Sequence, residues 1–323
     1  MAARTSAYFL RPNKTVDRLL FADLLQRVDS SLAIGERFTY VGMGGTYMED
    51  FRLLHEKFPR MKMVCLEEKT NVSLRQRFNR PHSAIRFLSQ SSSQWIEENL
   101  PAKKPQIIWL DFQGKQRLEQ ISQFQSLIVG AAKPSILRLT LDVSGDTLGG
   151  NTTPSEKLSR LKSQLGGLLQ RDITVEDYVS KGLEEILRDV VFLAASRALK
   201  NQSTVRFQPL LVVSYKDTSR MLTVTGILGS REAIDGVIER AGLNEWEYSW
   251  LRNQETLRID LPELSMVERL KLNQLLPARS ENVEKIHKSF GFYLADDEDV
   301  SGAMIASYIK FARHYPQFAR VGL

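Results

Sequence analysis

The pattern of apolar positions along the chain alternates between two periods. Short runs of apolar residues, each typical of a buried strand, are separated by segments in which apolar residues recur at the spacing of a helix. Five such runs occur in the first half of the sequence, at 37–41, 62–66, 84–88, 106–110 and 135–141. Strands that alternate with helices in this way predict an α/β fold with a mostly parallel, doubly wound sheet.

Two further β-rich runs follow a long helical stretch. Residues 207–215 and 221–228 are separated by a short polar connection, which predicts an antiparallel hairpin. The predicted sheet therefore has seven strands and ends in a hairpin, with a helical insertion at 150–205. The rest of the chain is mainly helical. We expect a Rossmann-like domain over 1–229 with a basic N-terminal arm, and a smaller helical domain over 230–323.

The composition is that of an ordinary globular protein. Of the 323 residues 42% are hydrophobic and 25% are charged, and no apolar run approaches the roughly 20 residues that span a bilayer. The single cysteine, Cys65, lies in a predicted strand, and the first residues lack the apolar core of a secretion signal. We therefore expect a cytoplasmic protein without a membrane partner. The net charge of +6 permits an anionic partner such as nucleic acid without requiring one.

Residue types that suit a nucleotide-like cofactor stand at the ends of the predicted strands. They are the glycines Gly42, Gly44 and Gly45, the acids Glu67 and Glu68, and Asp111. A glycine turn lets backbone approach a cofactor, and a carboxylate at a strand tip can accept both ribose hydroxyls. Asp111 ends the fourth predicted strand, at the edge of the sheet where ligands bind, and an acid there is suited to take a proton from a substrate. Each group also has a local interpretation: a strand-to-helix turn, a solvated helix start, and a cap for backbone amides.

This ordered set, with the terminal hairpin, resembles the class I S-adenosylmethionine-dependent methyltransferase fold over roughly residues 35–228. The glycines resemble the first motif of that family, Glu67 or Glu68 its ribose-binding acid, and Asp111 the motif after the fourth strand. The segments 8–14 and 109–112 are similar to a group of bacterial O-methyltransferase-like proteins with a winged-helix tail. The resemblance implies S-adenosylmethionine as cofactor and methyl transfer to an oxygen or nitrogen nucleophile.

The chain departs from that family at the methionine end of the expected cofactor. The family usually has an acid at the end of the first strand, where this chain has Tyr40 and Val41, and the glycine motif is compressed to G-x-G-G. These departures suit a second hypothesis, a catalytically silent methyltransferase fold that acts as a binding subunit. It would dock a protein or nucleic acid through residues 230–323, where cations and aromatics are interleaved as in a winged-helix module.

Two further groups are candidates for ligand contacts. Ser91 and Ser92 follow the third strand, where they either contact an adenine or cap the next helix. Tyr8, Arg11 and Lys14 form a basic, aromatic cluster that either faces the substrate or serves solubility alone. The four histidines show no metal-ligand spacing, so no metal site is expected.

Overall fold

The computed structural model describes residues 11–150, 152–169, 173–277 and 283–315. Thirteen α-helices and eight strands lie within these ranges. In chain order they are α1 (Pro12–Leu32), α2 (Ile34–Arg37), β1 (Thr39–Gly42), α3 (Glu49–Lys57), β2 (Lys62–Leu66), α4 (Thr70–Phe78), β3 (Ile85–Leu88), α5 (Ser92–Asn99), β4 (Gln106–Asp111), α6 (Arg117–Gly130), β5 (Ser135–Asp142), α7 (Pro154–Leu165), α8 (Val175–Ala198), β6 (Val205–Lys216), β7 (Arg220–Ser230), α9 (Arg231–Arg240), α10 (Trp250–Asn253), β8 (Leu257–Ile259), α11 (Met266–Gln274), α12 (Val283–Phe290) and α13 (Glu298–Phe311).

The sheet has the strand order β3-β2-β1-β4-β5-β7-β6-β8. The first five strands in that order are parallel, and β7 runs antiparallel to β5, with Ser135 opposite Leu228 and Asp142 opposite Met221. The predicted mostly parallel sheet with a terminal hairpin is confirmed. The predicted number of seven strands is wrong, because Leu257–Ile259 adds an eighth. Three residues are too few for a strand period to stand out in the sequence.

The central strands are buried along almost their whole length. All residues of β5 except the last are buried, as are the four inner residues of β4. Parallel strands that are covered on both faces need apolar side chains on both, which is why they read as continuous apolar runs rather than alternating ones. These strands therefore form a rigid frame whose ends are fixed.

One face of this frame is covered by helices α5 to α8. Phe124 and Leu127 of α6 and Leu187 and Val191 of α8 are fully buried in the same apolar core as β4 and β5. Helix α8 is interrupted at Gly182, where φ is +73°. Helices α7 and α8 lie within the predicted insertion at 150–205, and they bring residues far along the chain to the side of β5.

The described residues divide into two compact units. One contains those within Met1–Leu20, Tyr215–Asp217 and Arg258–Leu323, and the other contains those within Phe21–Ser214 and Thr218–Leu257. The smaller unit has its own apolar cluster, built on Leu272, Ile286, Ile305 and Tyr308. The domain boundary after residue 229 and the winged-helix character of the C-terminal part stay predictions. None of the helices in the described ranges combines the length and apolar character that crossing a bilayer requires.

Candidate functional site at the carboxyl edge of the sheet

The sheet brings three of the predicted groups to one edge. The chain passes from β1 to β2 and β3 on one side and returns to β4 and β5 on the other, so the topological switch point lies between β1 and β4. Gly42 pairs with Cys65 of β2 and with Trp109 of β4. Glu67 and Asp111 each follow two residues after those partners. The glycine turn thus lies between the two acids, with about 4.8 Å between neighbouring strands.

The glycines of the turn make room for core side chains. Gly44 has a φ of +70° and Gly45 a φ of +53°, a conformation that favours glycine. A Cβ built on Gly44 would lie 2.8 Å from Cε2 of the buried Phe51. A Cβ built on Gly42 would lie 2.5 Å from Oη of the buried Tyr40. Packing beneath the turn therefore accounts for Gly42 and Gly44 without any ligand, in line with their local interpretation.

Side-chain amides of α4 and its C-terminal end hold this turn in place. The N–H of Gly45 donates to the carbonyl of Met43 at 2.9 Å, and Nε2 of the fully buried Gln76 donates to the same carbonyl at 3.0 Å. Nδ2 of Asn79 donates to the carbonyl of Thr46 at 3.0 Å. Neither amide is predicted from the sequence. The one signal in the sequence is that Gln76 lies on the face of α4 that turns towards the core.

The two glutamates after β2 have different surroundings. Glu67 is half-buried, and its N–H donates to the carbonyl of Leu88 on β3 at 3.1 Å. Its Oε1 accepts from the N–H of Lys69 at 2.8 Å. Glu68 is exposed, and no described residue forms a hydrogen bond or ion pair with its carboxylate. Glu67 is therefore the acid that the fold fixes at the strand tip.

The serines after β3 are engaged in local structure. Ser91 is the N-cap of α5: its Oγ accepts from the N–H of Gln94 at 3.2 Å, and its own N–H donates to Oε1 of Gln94 at 3.0 Å. Ser92 is buried, and its Oγ donates to Oε1 of Gln123 on α6 at 2.6 Å. These bonds agree with the capping interpretation, and the adenine contact stays a prediction.

Asp111 ends β4 beside the switch point. It is half-buried and lies opposite Thr140 of β5. The N–H of the next residue, Phe112, donates to the carbonyl of Thr140 at 3.2 Å, so the strand pairing continues past the aspartate. The carboxylate therefore stands on a backbone that is held firmly at the carboxyl edge of the sheet.

The N-terminal cluster belongs to the smaller compact unit. Tyr8 lies outside the described residues. Arg11 is half-buried, and Lys14 is only 4% exposed. The N–H groups of Asn13 and Lys14 donate to the carboxylate of Asp217 at 3.2 and 3.0 Å, which satisfies two donors that the first turn of α1 leaves open. The substrate-binding role of Tyr8, Arg11 and Lys14 stays a prediction.

A cleft opens beyond the ends of β4 and β5, and it was not predicted from the sequence. Its volume is about 390 Å³, and its lining includes Lys115, Asp146, Gly149, Arg160, Ser163 and Gln164. Beside the lining, Arg117 is almost fully buried: Nη1 donates to Oε1 of Gln164 at 2.9 Å, and Nη2 donates to the carbonyl of Asp142 at 3.1 Å and to Oγ1 of Thr147. Burial lowers the pKa of Arg117, although the nearby Asp142 acts in the opposite direction.

The single thiol of the chain lies beneath the glycine turn. Burial raises the pKa of Cys65 well above its usual range, because the thiolate would lose its hydration. Its Sγ donates to Oε1 of Gln76 at 3.4 Å. A buried, protonated thiol is inert, which makes Cys65 a packing residue. Across the described ranges, no group of three or more histidine, cysteine and acidic residues is arranged to hold a metal ion.

The strand order, the glycine turn after β1 and the acids after β2 and at the end of β4 define a methyltransferase-like Rossmann fold. A family model described as "Putative O-methyltransferase" matches residues 6–323. The chain therefore belongs to that family. The predicted resemblance to O-methyltransferase-like proteins is confirmed, apart from the winged-helix tail, which stays a prediction, and the family is one of methyltransferases, as predicted.

Solved structures provide more distant likenesses. The plantazolicin methyltransferase BamL, in complex with a triazolic desmethylPZN analog and SAH, is 14% identical over 68% of this chain and 87% of that chain, with a TM-score of 0.40. A 16S rRNA (adenine(1408)-N(1))-methyltransferase from Catenulisporales acidiphilia is 14% identical over 64% and 92%, with a TM-score of 0.32. We draw no conclusion about ligands or partners from these likenesses. No curated protein matches the chain at a significant level.

Proposed function

We propose that this protein transfers the methyl group of S-adenosylmethionine to an acceptor oxygen at the switch point between β1 and β4. The observation that supports the proposal is the order of groups along the carboxyl edge: Glu67 after β2, the glycine turn after β1, and Asp111 at the end of β4. Ligands of doubly wound sheets bind in this crevice. The chemistry that the bound cofactor supplies is an electrophilic methyl group on a positively charged sulfur.

The residues at β1 and β2 fit the nucleoside half of the cofactor. Glu67 uses Oε1 for the N–H of Lys69, and no described residue donates to its Oε2, which leaves an acceptor for a ribose hydroxyl. The turn at 42–45 is held by Gln76 and so needs little reorganisation on binding. The proposal assigns the ribose contact to Glu67 rather than to the exposed Glu68.

Asp111 is the group that we assign to the acceptor. Methyl transfer depends mainly on holding the nucleophile in line with the methyl group, and a hydroxyl acceptor must also lose its proton. A carboxylate on a fixed strand end can orient the hydroxyl and accept that proton. The buried residues Trp109 and Leu110 just before it keep the strand end beside an apolar core.

Cofactor binding tests the first half of the proposal. Calorimetric titration of the full chain with S-adenosylmethionine should show one site. The Glu67→Gln substitution removes a charge-assisted hydrogen bond of about 1.5–3 kcal/mol, which corresponds to a Kd about 10- to 140-fold higher. Glu68→Gln is the matched control and should change the Kd less than about twofold, because its carboxylate is exposed. Equal effects of the two substitutions would contradict the assignment.

A second variant separates chemistry from cofactor binding. Asp111→Asn keeps the shape of the side chain and removes the base, so the Kd for S-adenosylmethionine should stay within about threefold. Methyl transfer to a hydroxyl acceptor should fall by about 10²-fold or more, the usual contribution of general base catalysis. Full transfer by Asp111→Asn would remove Asp111 from the mechanism.

One observation favours the catalytically silent alternative. Tyr40 stands where the family has an acid, is 1% exposed, and packs edge-on against Phe51 with ring centroids 5.1 Å apart. In addition, the N–H of Gly45 is already bonded to Met43. If titration to millimolar cofactor gives no heat in any variant, the binding-subunit function replaces the enzyme. Its predicted nucleic-acid partner would then be tested by salt-dependent binding of the full chain to duplex DNA, and a flat salt response would exclude that partner.

A further inference from the structure

We propose that the cleft between the β4 and β5 loops and α7 binds the methyl acceptor, and that the acceptor is a small organic anion whose carboxylate is held by Lys115 and Arg160. The identification of the ligand as the acceptor rests on the proposed function. The existence of an anion site does not, since it is argued from the cleft itself.

The cleft adjoins the part of the sheet where the acceptor is needed. Lys115 follows Asp111 by four residues, and Asp146 follows the end of β5 by the same interval. Strands β4 and β5 are neighbours, with Asp111 opposite Thr140. Asp111 therefore stands between the glycine turn on the β1 side and the cleft on the β5 side. Asp111 does not itself line the cleft, so an acceptor seated there would extend towards the end of β4 to bring its hydroxyl to Asp111.

The charges around the cleft favour an anion. Lys115 and Arg160 line it, Arg117 is buried directly beside it, and Asp146 is the one carboxylate among the described lining residues. A guanidinium carries five N–H donors in a planar fork that matches a carboxylate, and an ammonium adds a point charge. Asp146 disfavours a second negative charge nearby. These features describe a monoanion, and the hydroxyl group that it must also carry follows from the proposed methyl transfer to oxygen.

Arg160 is held in place by the loop that it faces. Its Nη1 donates to the carbonyl of Leu148 at 2.8 Å. A Cβ built on Gly149 would lie 1.9 Å from that same nitrogen, and Gly149 has a φ of +106°. Only glycine therefore lets the guanidinium lie across the loop. A cation that is fixed before the ligand arrives loses less side-chain entropy on binding.

Arg117 fixes the walls of the cleft relative to each other. Its bonds reach Gln164 on α7, Thr147 on the loop after β5, and the carbonyl of Asp142 at the end of β5. Gln164 and Thr147 both line the cleft. Burying a guanidinium costs free energy, which hydrogen bonds of good geometry must offset. The three partners of Arg117, in three different elements, hold it in one such geometry. Here it keeps the cleft open and adds positive charge next to it.

The size of the cleft points to a small molecule. A volume of about 390 Å³ lies near the lower end of the range for small-ligand sites, about 300–1,000 Å³. A benzoate-sized acid fits such a space. We therefore use 4-hydroxybenzoate as the anionic probe, and 4-hydroxybenzamide as a neutral probe of nearly the same shape. The comparison isolates the charge of the ligand.

The test measures binding of both probes to the full chain by calorimetry or ligand-observed NMR, at low salt and without cofactor. We expect 4-hydroxybenzoate to bind about tenfold or more tightly than 4-hydroxybenzamide, because only the acid forms charge-assisted hydrogen bonds. Arg160→Gln and Lys115→Gln should each remove most of that preference. Lys162→Gln, on the same helix and exposed, is the matched control and should keep it.

A glycine pair gives a second, independent arm. Gly149→Ala should displace the guanidinium of Arg160 and weaken the preference for the acid about as much as Arg160→Gln does. Gly150→Ala adds the same methyl group where, among the described residues beyond its chain neighbours, no atom lies within 4 Å, and should leave the preference unchanged. Thermal unfolding of each variant checks that it is folded.

Several results would overturn the proposal. Equal binding of the two probes, no binding of the acid at about 20 mM, or an unchanged preference in Arg160→Gln and Lys115→Gln would each exclude the anion site. Because these measurements omit the cofactor, their outcome is independent of the Glu67→Gln titration that judges the proposed function. An acid preference with no methylation of any hydroxylated acid in the presence of bound S-adenosylmethionine would retain an anion site and overturn its identification as the acceptor site.

Discussion

The substitution Gly44→Ala tests whether the glycine motif serves packing. The residue is in the left-handed region, with φ at +70°. The new methyl group would lie 2.8 Å from Cε2 of Phe51, 3.0 Å from Sδ of Met48 and 3.1 Å from Sγ of Cys65. All three neighbours are buried, so none can move into solvent. We therefore expect a loss of stability that has two separate physical causes.

The magnitude follows from those two causes. An alanine in the left-handed conformation costs roughly 1–2 kcal/mol. Forcing a methyl group into a well-packed core costs about 1–3 kcal/mol more. The free energy of unfolding should therefore fall by about 2–5 kcal/mol. With an unfolding entropy of about 2 cal/mol/K per residue over 323 residues, the Tm should fall by about 3–7 °C.

Differential scanning calorimetry and urea unfolding measure this loss, and Gly35→Ala is the matched control. Gly35 lies in α2 without a positive φ, and its Cβ would meet only Phe58 at the ordinary contact distance of 3.6 Å. That variant should be as stable as the parent or slightly more stable, because alanine favours helix. A Gly44→Ala Tm within about 1 °C of the parent would refute the packing argument and return the motif to a purely ligand-related role.

Two further predictions concern stability. Asp217→Ala should destabilise the protein by about 1–2 kcal/mol in urea unfolding, because two N–H groups of α1 lose their acceptor. Asp217→Asn should recover part of this loss, since burial raises the pKa of Asp217 and a neutral isostere avoids burying the charge; equal losses would contradict this. Burial, and the ring of His55 stacked at 3.7 Å, lower the pKa of His82 below its ordinary value. The contribution of His82 to stability is therefore present above about pH 6.5 and is lost as the pH falls. Between about pH 7.5 and 5.5 the free energy of unfolding should decrease less in His82→Gln than in the parent protein. Equal decreases in the two proteins would argue against a role for the His55–His82 pair.

The parallel part of the sheet was predictable because burial on both faces makes each of its strands a run of consecutive apolar residues. Strands such as β4 and β5 are covered on both faces and must be apolar throughout, and the helices between them show their own period. The strand β8 had no such signature. Its three residues alternate in burial, and their place at the end of the sheet order depends on pairing rather than on local sequence.

The site was predictable only where it follows directly from a strand end. Gly42, Glu67 and Asp111 could be anticipated to share an edge because parallel strands place their carboxyl ends together. The amides of Gln76 and Asn79 that hold the turn depend on how α4 packs, and the fixing of Glu67 rather than Glu68 at the strand tip depends on the pairing with β3. No rule of sequence spacing contains that information.

The cleft could not be predicted because its parts are distant in sequence and polar in composition. Lys115 precedes α6, whereas Arg160 lies 45 residues further along the chain, on α7. They share a cleft because Arg117 ties α7 and the loop after β5 to the end of β5. A buried arginine is invisible as such in a sequence, where the residue type suggests a surface position.

The two proposals place the cofactor and the acceptor at different strand pairs, and this separation decides how the function can be tested. The proposed cofactor groups follow β1 and β2, and the proposed acceptor groups lie beyond β4 and β5, with Asp111 between the two sets in the strand order. The departure from the family at Tyr40 concerns only the proposed cofactor site at β1 and β2, because neither Tyr40 nor its neighbour Phe51 lines the cleft. A protein that had lost its cofactor could therefore keep an anion site, and an enzyme would couple the two. Measuring each ligand alone and then both together distinguishes these states: in an enzyme, methylation of the acid probe should fall when any one of Glu67, Asp111 and Arg160 is substituted.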